Sequence, residues 1–179
     1  MNSHVLHAAV FAANKHRHQR RKDAEASPYI NHPLTVADIL ASEGGVEDPV
    51  TLMAAVLHDT VEDTDTFEGE LRATFGSVVA DVVMEVTDDK SLPKAERKRL
   101  QIVHAPELSS RAKLVKIADK IANLRDIAFN PPDSWSLQRR QEYFDWAAAV
   151  TAGLRGVNPR LDALFDEAMT LRPVSLDIL

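Results

Sequence analysis

The chain has 179 residues, a formal net charge of -6 and no cysteine. This length suits one domain, predicted here over residues 1–179, and the acidic balance argues against a general nucleic-acid partner. The lack of cysteine excludes disulfides and thiolate metal sites, and without a membrane-spanning run or a signal peptide we predict a cytoplasmic protein with no membrane partner.

Apolar residues recur at helical spacing along nearly the whole chain, and no segment alternates long enough to predict a strand. Asp65 and Glu68 are spaced as a capping box for a short helix that ends at Gly76. The other predicted helices, in chain order, cover residues 3–18, 33–43, 49–59, 78–86, 93–104, 111–128, 136–154 and 159–171. The sequence therefore predicts an all-α, single-domain helical bundle.

The segment 58–64 is unusual because it places polar side chains on an apolar helix. If the helix that begins at Pro49 continues to residue 63, His58, Asp59, Glu62 and Asp63 fan over about 140° of its buried face. Charges on a buried face are costly unless they are paired, neutralised or bound to a cation. The segment therefore indicates a metal site.

Four residues are candidate metal ligands: His32, His58, Asp59 and Asp119. His32 begins a helix after a loop, and Asp119 lies in the middle of a predicted helix, where aspartate is a poor choice unless it is used. Two imidazoles and two carboxylates suit Mn²⁺, Fe²⁺ or Zn²⁺. We predict one divalent ion with open positions for water and substrate.

Each of these residues also has an ordinary structural interpretation. A single buried histidine is more often a hydrogen-bonded core residue. Glu62 and Asp63, the acidic pair, could be solvated, and Asp119 could pair with Lys116 or Lys120. Their joint occurrence favours the metal site. Basic residues clustered at 17–22 and 94–99 favour a small anionic ligand.

The order of His32, the His58-Asp59 pair and Asp119 resembles the HD superfamily of metal-dependent phosphohydrolases. The segments 16–22, 28–33, 55–64 and 116–125, together with 86–94 and 142–147, are similar to the hydrolase domain of the RelA/SpoT alarmone enzymes. The likeness is greatest to the short stand-alone form and covers about residues 7–171.

The resemblance implies a Mn²⁺-dependent enzyme that removes the 3′-pyrophosphate of ppGpp or pppGpp to leave GDP or GTP. The implied metal ligands are His32, His58, Asp59 and Asp119. The implied catalytic acid–base pair is Glu62 and Asp63. The implied substrate contacts are Arg21, Lys22, Asn123, Lys94, Arg139 and Tyr143.

One departure concerns the long RelA/SpoT enzymes, which usually carry Arg and His where this chain has Lys120 and Ala122. It affects how the nucleotide is held and leaves the metal ligands unchanged. Two other functions stay open: a phosphatase for another phosphorylated nucleotide such as NADPH, and a nucleotide-sensing module without turnover. The sequence predicts degradation without alarmone synthesis and leaves the oligomeric state open, a homo-oligomer included.

Overall fold

The computed structural model describes residues 3–175, and within them it contains helices and one isolated bridge between Arg20 and Pro28 but no strand. The all-α prediction is confirmed. The helices are α1 (Ser3–Lys15), α2 (Asn31–Asp38) with a π-helical extension (Ile39–Glu43), α3 (Pro49–Leu57), α4 (Thr60–Asp63), α5 (Glu68–Phe75), α6 (Ser77–Val86), α7 (Lys94–His104) with a 3₁₀ turn (Ala105–Glu107), α8 (Ser110–Phe129), α9 (Leu137–Ala152) and α10 (Pro159–Met169).

Helix α8 forms the centre of the bundle and packs against α2, α3, α6, α9 and α10. Its start is fixed by Ser109, whose hydroxyl accepts a hydrogen bond from the backbone N–H of Ala112 at 3.2 Å. Small buried residues such as Ala118 and Ala122 let neighbouring helices approach it closely. Any polar side chain on the inner face of α8 is therefore held at the centre of the fold.

Helix α3 does not continue to residue 63, so the four polar side chains do not share one face of a single helix. Helix α3 ends at Leu57, and the chain turns through His58 and Asp59 before α4 begins at Thr60. The Thr60 hydroxyl donates a 2.7 Å hydrogen bond to the Leu57 carbonyl, so a local side-chain contact stabilises the break. The turn lets the two candidate ligands face α8, while the acidic pair lies on the next short helix.

The predicted capping box is wrong. The residue that precedes α5 is Phe67, and no side chain caps that helix. Asp65 instead accepts a 3.1 Å hydrogen bond from Lys15 on α1. The first helix ends at Lys15 rather than at residue 18, and the last two helices end at Ala152 and Met169, two residues before the predicted ends.

Among the described residues, no helix combines the length and the apolar character that a bilayer crossing needs.

Candidate metal centre and nucleotide cleft

The four candidate ligands come from three parts of the fold and meet at one point. His32 lies in the first turn of α2, His58 and Asp59 lie in the turn after α3, and Asp119 lies in the middle of α8. The Nε2 atom of His32 is 3.1 Å from Oδ1 of Asp119, and the Nε2 atom of His58 is 3.1 Å from Oδ2 of Asp59. The crossed distances, His32 to Asp59 and His58 to Asp119, are both 3.9 Å.

These donor atoms fit a divalent cation. The Nδ1–H of His58 donates a 2.7 Å hydrogen bond to the Ala55 carbonyl, which leaves the lone pair of Nε2 facing the carboxylates. That Nε2 atom is buried and has no hydrogen-bond partner within residues 3–175. A histidine ring fixed through its Nδ1–H, with Nε2 3.1 Å from a carboxylate oxygen and a second imidazole nearby, is typical of a metal-binding site. The ligand atoms of His32, His58 and Asp59 all lie within 4.8 Å of one another, and Asp119 adjoins them through His32.

Side chains around the cluster hold the two carboxylates in place. The Tyr29 hydroxyl donates a 2.6 Å hydrogen bond to Oδ2 of Asp59. Lys120 donates to Oδ2 of Asp119 at 2.8 Å, and the Asn123 amide donates to Oδ1 of the same carboxylate at 2.6 Å. Such outer contacts orient metal ligands and tune their basicity.

The electrostatics of the cluster favour bound positive charge. Burial alone raises the pKa of Asp59 and of Asp119, but His58 beside the first and Lys120 beside the second hold both pKa values well below the ordinary range. Burial lowers the pKa of His58, but the Asp59 and Asp119 carboxylates outweigh it and raise that pKa to about 9. A cation that binds here therefore displaces a proton.

The acidic pair lies next to the cluster and is less buried than the ligands. Glu62 accepts a hydrogen bond from the backbone N–H of Asp88 at 3.2 Å and contacts Arg97 at 3.5 Å, and burial raises the pKa of its carboxyl. Asp63 accepts hydrogen bonds from Gln19 at 3.1 Å and from Lys90. Both carboxylates are thus fixed by neighbours without belonging to the ligand cluster.

Three adjoining cavities surround this chemistry. The metal cavity, of about 190 Å³, is lined by the four candidate ligands and the acidic pair. The loop-side cavity, of about 400 Å³, is lined by Arg21, Lys22 and Asn123 among others. The α9-side cavity, of about 650 Å³, is lined by Lys94 and Arg139 among others.

Shared residues connect the cavities into one cleft. Tyr143 lines both larger cavities, and Asn123 lines the loop-side and metal cavities. The structure therefore brings all six sequence-predicted substrate contacts to the cleft. Asn123 also contacts a candidate metal ligand directly, a second role that the sequence did not indicate.

Several residues of the cleft were not predicted from the sequence. Tyr29 lies three positions before His32 in the same motif, and its contact with Asp59 arises only in the folded chain. Lys116, Asp119, Lys120 and Asn123 recur at helical spacing on the inner face of α8. Polar residues at this spacing, between the buried apolar residues of α8, indicate that the two lysines face the same cavity as Asp119.

Comparisons with known proteins place this geometry in a family. A family model described as HD domain matches residues 8–145. The guanosine-3′,5′-bis(diphosphate) 3′-pyrophosphohydrolase MESH1 of Xenopus tropicalis is 59% identical over 162 residues, which is 90% of each chain. The MESH1 protein of Homo sapiens, with the same enzyme name, is 60% identical over 158 residues, which is 88% of each chain.

A solved structure agrees with the sequence comparisons. It is described as a metazoan ortholog of SpoT that hydrolyses ppGpp, and it matches with a TM-score of 0.93 and 47% identity over 98% of both chains. The chain therefore belongs to the HD-domain family, in its group of short SpoT-related pyrophosphohydrolases.

Proposed function

We propose that this protein hydrolyses the 3′-pyrophosphate of ppGpp and pppGpp, with one Mn²⁺ ion held by His32, His58, Asp59 and Asp119. The observation that carries the proposal is the position of the ligand cluster: it adjoins the acidic pair and two larger cavities whose walls include arginine and lysine side chains. The relatives that share about 60% of the sequence have this activity in their names.

A divalent ion at this point supplies Lewis-acid chemistry, because it polarises phosphoryl oxygens and acidifies coordinated water. Mn²⁺ suits the mixed nitrogen and oxygen donors and accepts partners beyond four. Residues of the chain provide proton transfer and orient the attacking water. Glu62, whose pKa is raised by burial, accepts the proton of the attacking water, and Asp63 orients that water. Water attacks the phosphorus bonded to the ribose 3′ oxygen, and the bond between these two atoms breaks. The proton taken by Glu62 passes to the departing oxygen, which leaves a 3′-hydroxyl group and pyrophosphate.

Basic side chains in both larger cavities match a nucleotide with phosphate groups on both sides of its ribose. Arg21 and Lys22 line the loop-side cavity, whereas Lys94 and Arg139 line the α9-side cavity. Tyr143 and Trp135 lie between them and offer aromatic faces for a base. We propose that the cavities hold the two ends of the substrate while the metal cavity receives the 3′-diphosphate.

A product assay tests the proposal. Purified protein loaded with Mn²⁺ is incubated separately with ppGpp, pppGpp and NADPH. The products are separated by chromatography and identified by mass spectrometry. We expect GDP or GTP together with pyrophosphate from the first two compounds. If only NADPH is hydrolysed, with release of orthophosphate, the alternative function as a phosphatase for another nucleotide is favoured. Tight binding of ppGpp without any product would favour a nucleotide-sensing module.

The identity of the ion is tested in the same assay after chelation. Activity is expected to return most fully with Mn²⁺, and a greater recovery with Zn²⁺ or Fe²⁺ would refute that part of the proposal. Incubation with ATP and GDP is expected to yield no new alarmone. The single domain over residues 1–179, the cytoplasmic location and the open oligomeric state remain predictions of the sequence.

A further inference from the structure

Two lysines one helical turn apart on α8, Lys116 and Lys120, line the metal cavity. Both are almost fully buried, with 9% and 3% of their surface exposed. Burial of an ammonium group is unfavourable unless other groups compensate its charge. The two residues differ in how far the protein itself provides that compensation.

Neighbouring side chains compensate the positive charge of Lys120. Its ammonium donates a 2.8 Å hydrogen bond to Asp119 and lies 4.6 Å from the centre of the Trp146 ring. The Trp146 indole is itself fixed, because its N–H donates a 3.1 Å hydrogen bond to the Lys98 carbonyl. A carboxylate and an aromatic face therefore hold this ammonium from two sides.

Lys116 lacks such contacts. The nearest carboxylate oxygen, Oδ1 of Asp88, is 4.0 Å from its ammonium, and no described residue accepts a hydrogen bond from it. The other oxygen of Asp88 is occupied by the Gln101 amide at 2.7 Å. Burial, together with the positive charge of Lys120, lowers the pKa of Lys116. The ammonium is thus held in the interior without a counterion at hydrogen-bond distance.

The surroundings of Lys116 show where an anion can reach it. The residue lines the metal cavity on one side and a rear cavity of about 200 Å³ on the other, which share Asp88 and Gln101. An oxyanion in the metal cavity would give the ammonium the partner that the protein does not. Phosphoryl oxygens that gain charge during hydrolysis are anions of this kind.

We infer that Lys116 is a further catalytic residue, whose ammonium binds a phosphoryl oxygen of the diphosphate held in the metal cavity. The inference rests on the proposed function for the identity of the substrate, but the geometry requires only a phosphate anion at the metal centre. Lys120 keeps its contacts with Asp119 and Trp146, whereas the ammonium group of Lys116 contacts the bound phosphate.

The inference predicts opposite effects on stability and on binding. Lys116→Met removes a buried charge whose nearest counterion is 4.0 Å away and keeps most of the side-chain volume. The metal-free variant is therefore expected to melt about 2–4 °C above the unmodified protein. A residue with a purely structural role would show the opposite shift. Lys113→Met, one turn earlier on α8 and outside the metal cavity, is the control with the same change in charge.

Binding is measured by calorimetry with inorganic pyrophosphate and protein loaded with Mn²⁺. We expect Lys116→Met to weaken binding by at least about tenfold, Lys113→Met to leave it unchanged, and Lys116→Arg to recover part of it. In the ppGpp assay, Lys116→Met is expected to lower kcat by about 10²-fold, as for loss of one donor to a developing oxyanion.

The possible outcomes separate the inference from the proposed function. Pyrophosphate binding by Lys116→Met equal to that of the unmodified protein overturns the inference. A lower melting temperature for the metal-free variant overturns it as well, because it would reveal a structural role. If the unmodified protein leaves ppGpp intact, the proposed function fails, while the pyrophosphate and melting experiments still decide the role of Lys116.

Discussion

The metal-free protein is expected to lose stability as the pH rises, because of His58. The Asp59 and Asp119 carboxylates outweigh burial and raise the pKa of this imidazole from 6.5 to about 9 in the folded chain. A group whose pKa is raised by folding contributes stability that is complete below its unfolded pKa and is lost as the pH passes the folded value. One pKa unit corresponds to about 1.4 kcal/mol, so the loss between pH 6 and pH 9.5 is about 3 kcal/mol.

Denaturant unfolding of the chelator-treated protein at several pH values between 6 and 9.5 measures this loss. His58→Gln is the control, since it removes the titrating group, and its unfolding free energy is expected to change much less over the same range. The interval avoids the acid region, where Asp59 and Asp119, whose pKa values are lowered, lose their own stabilising contribution as the pH falls.

Proton release on metal binding is a second test of the raised pKa of His58. Because the ion replaces the proton on His58, calorimetry in buffers of different ionisation enthalpy is expected to show proton release when Mn²⁺ binds near pH 7.5. The reasoning is refuted if the metal-free protein is equally stable at pH 6 and pH 9.5, or if His58→Gln retains the full pH dependence.

Four further substitutions test the contacts around the centre. Glu62→Gln and Asp63→Asn are each expected to lower kcat by about 10²–10⁴-fold while calorimetry shows Mn²⁺ still bound, and surviving turnover would assign proton transfer to another group. Tyr29→Phe removes the hydroxyl that orients Asp59 and is expected to weaken Mn²⁺ binding by about tenfold, whereas unchanged affinity would show the contact to be dispensable. Lys90→Met frees one side of Asp63 and is expected to lower kcat by about tenfold with little change in KM, and equal activity of Lys90→Met and Lys90→Arg would contradict this role.

The sequence was most informative where a polar residue interrupts an apolar helical pattern. His58, Asp59 and Asp119 break such patterns, and the structure brings them together. The break after α3 could not be predicted, because it depends on the Thr60 hydroxyl competing for the Leu57 carbonyl. The capping box failed for a related reason: Lys15, fifty positions earlier in the chain, binds Asp65.

The α9-side cavity shows a different limit. Its walls come from α7 and α9, which are separated in sequence by α8. The sequence predicts both helices, but the distance between them depends on how α9 packs on α8 and α7. Trp146 contributes to that packing through its hydrogen bond to the Lys98 carbonyl. The helical periodicity of the sequence does not predict this contact.

Local charge, rather than total charge, explains how an acidic chain can take an anionic nucleotide. The basic clusters at 17–22 and 94–99 lie far apart in sequence, yet their members line neighbouring parts of one cleft, with Lys22 in one cavity and Lys94 in another. The two clusters are close in space, since burial and the positive charges of Arg139 and Lys22 lower the pKa of Lys94. Acidic groups also line the cleft, and the carboxylates beside His32 and His58 form the centre at which a divalent ion would be held. The local basic groups of the cleft can therefore hold a compact anion although the chain as a whole is acidic.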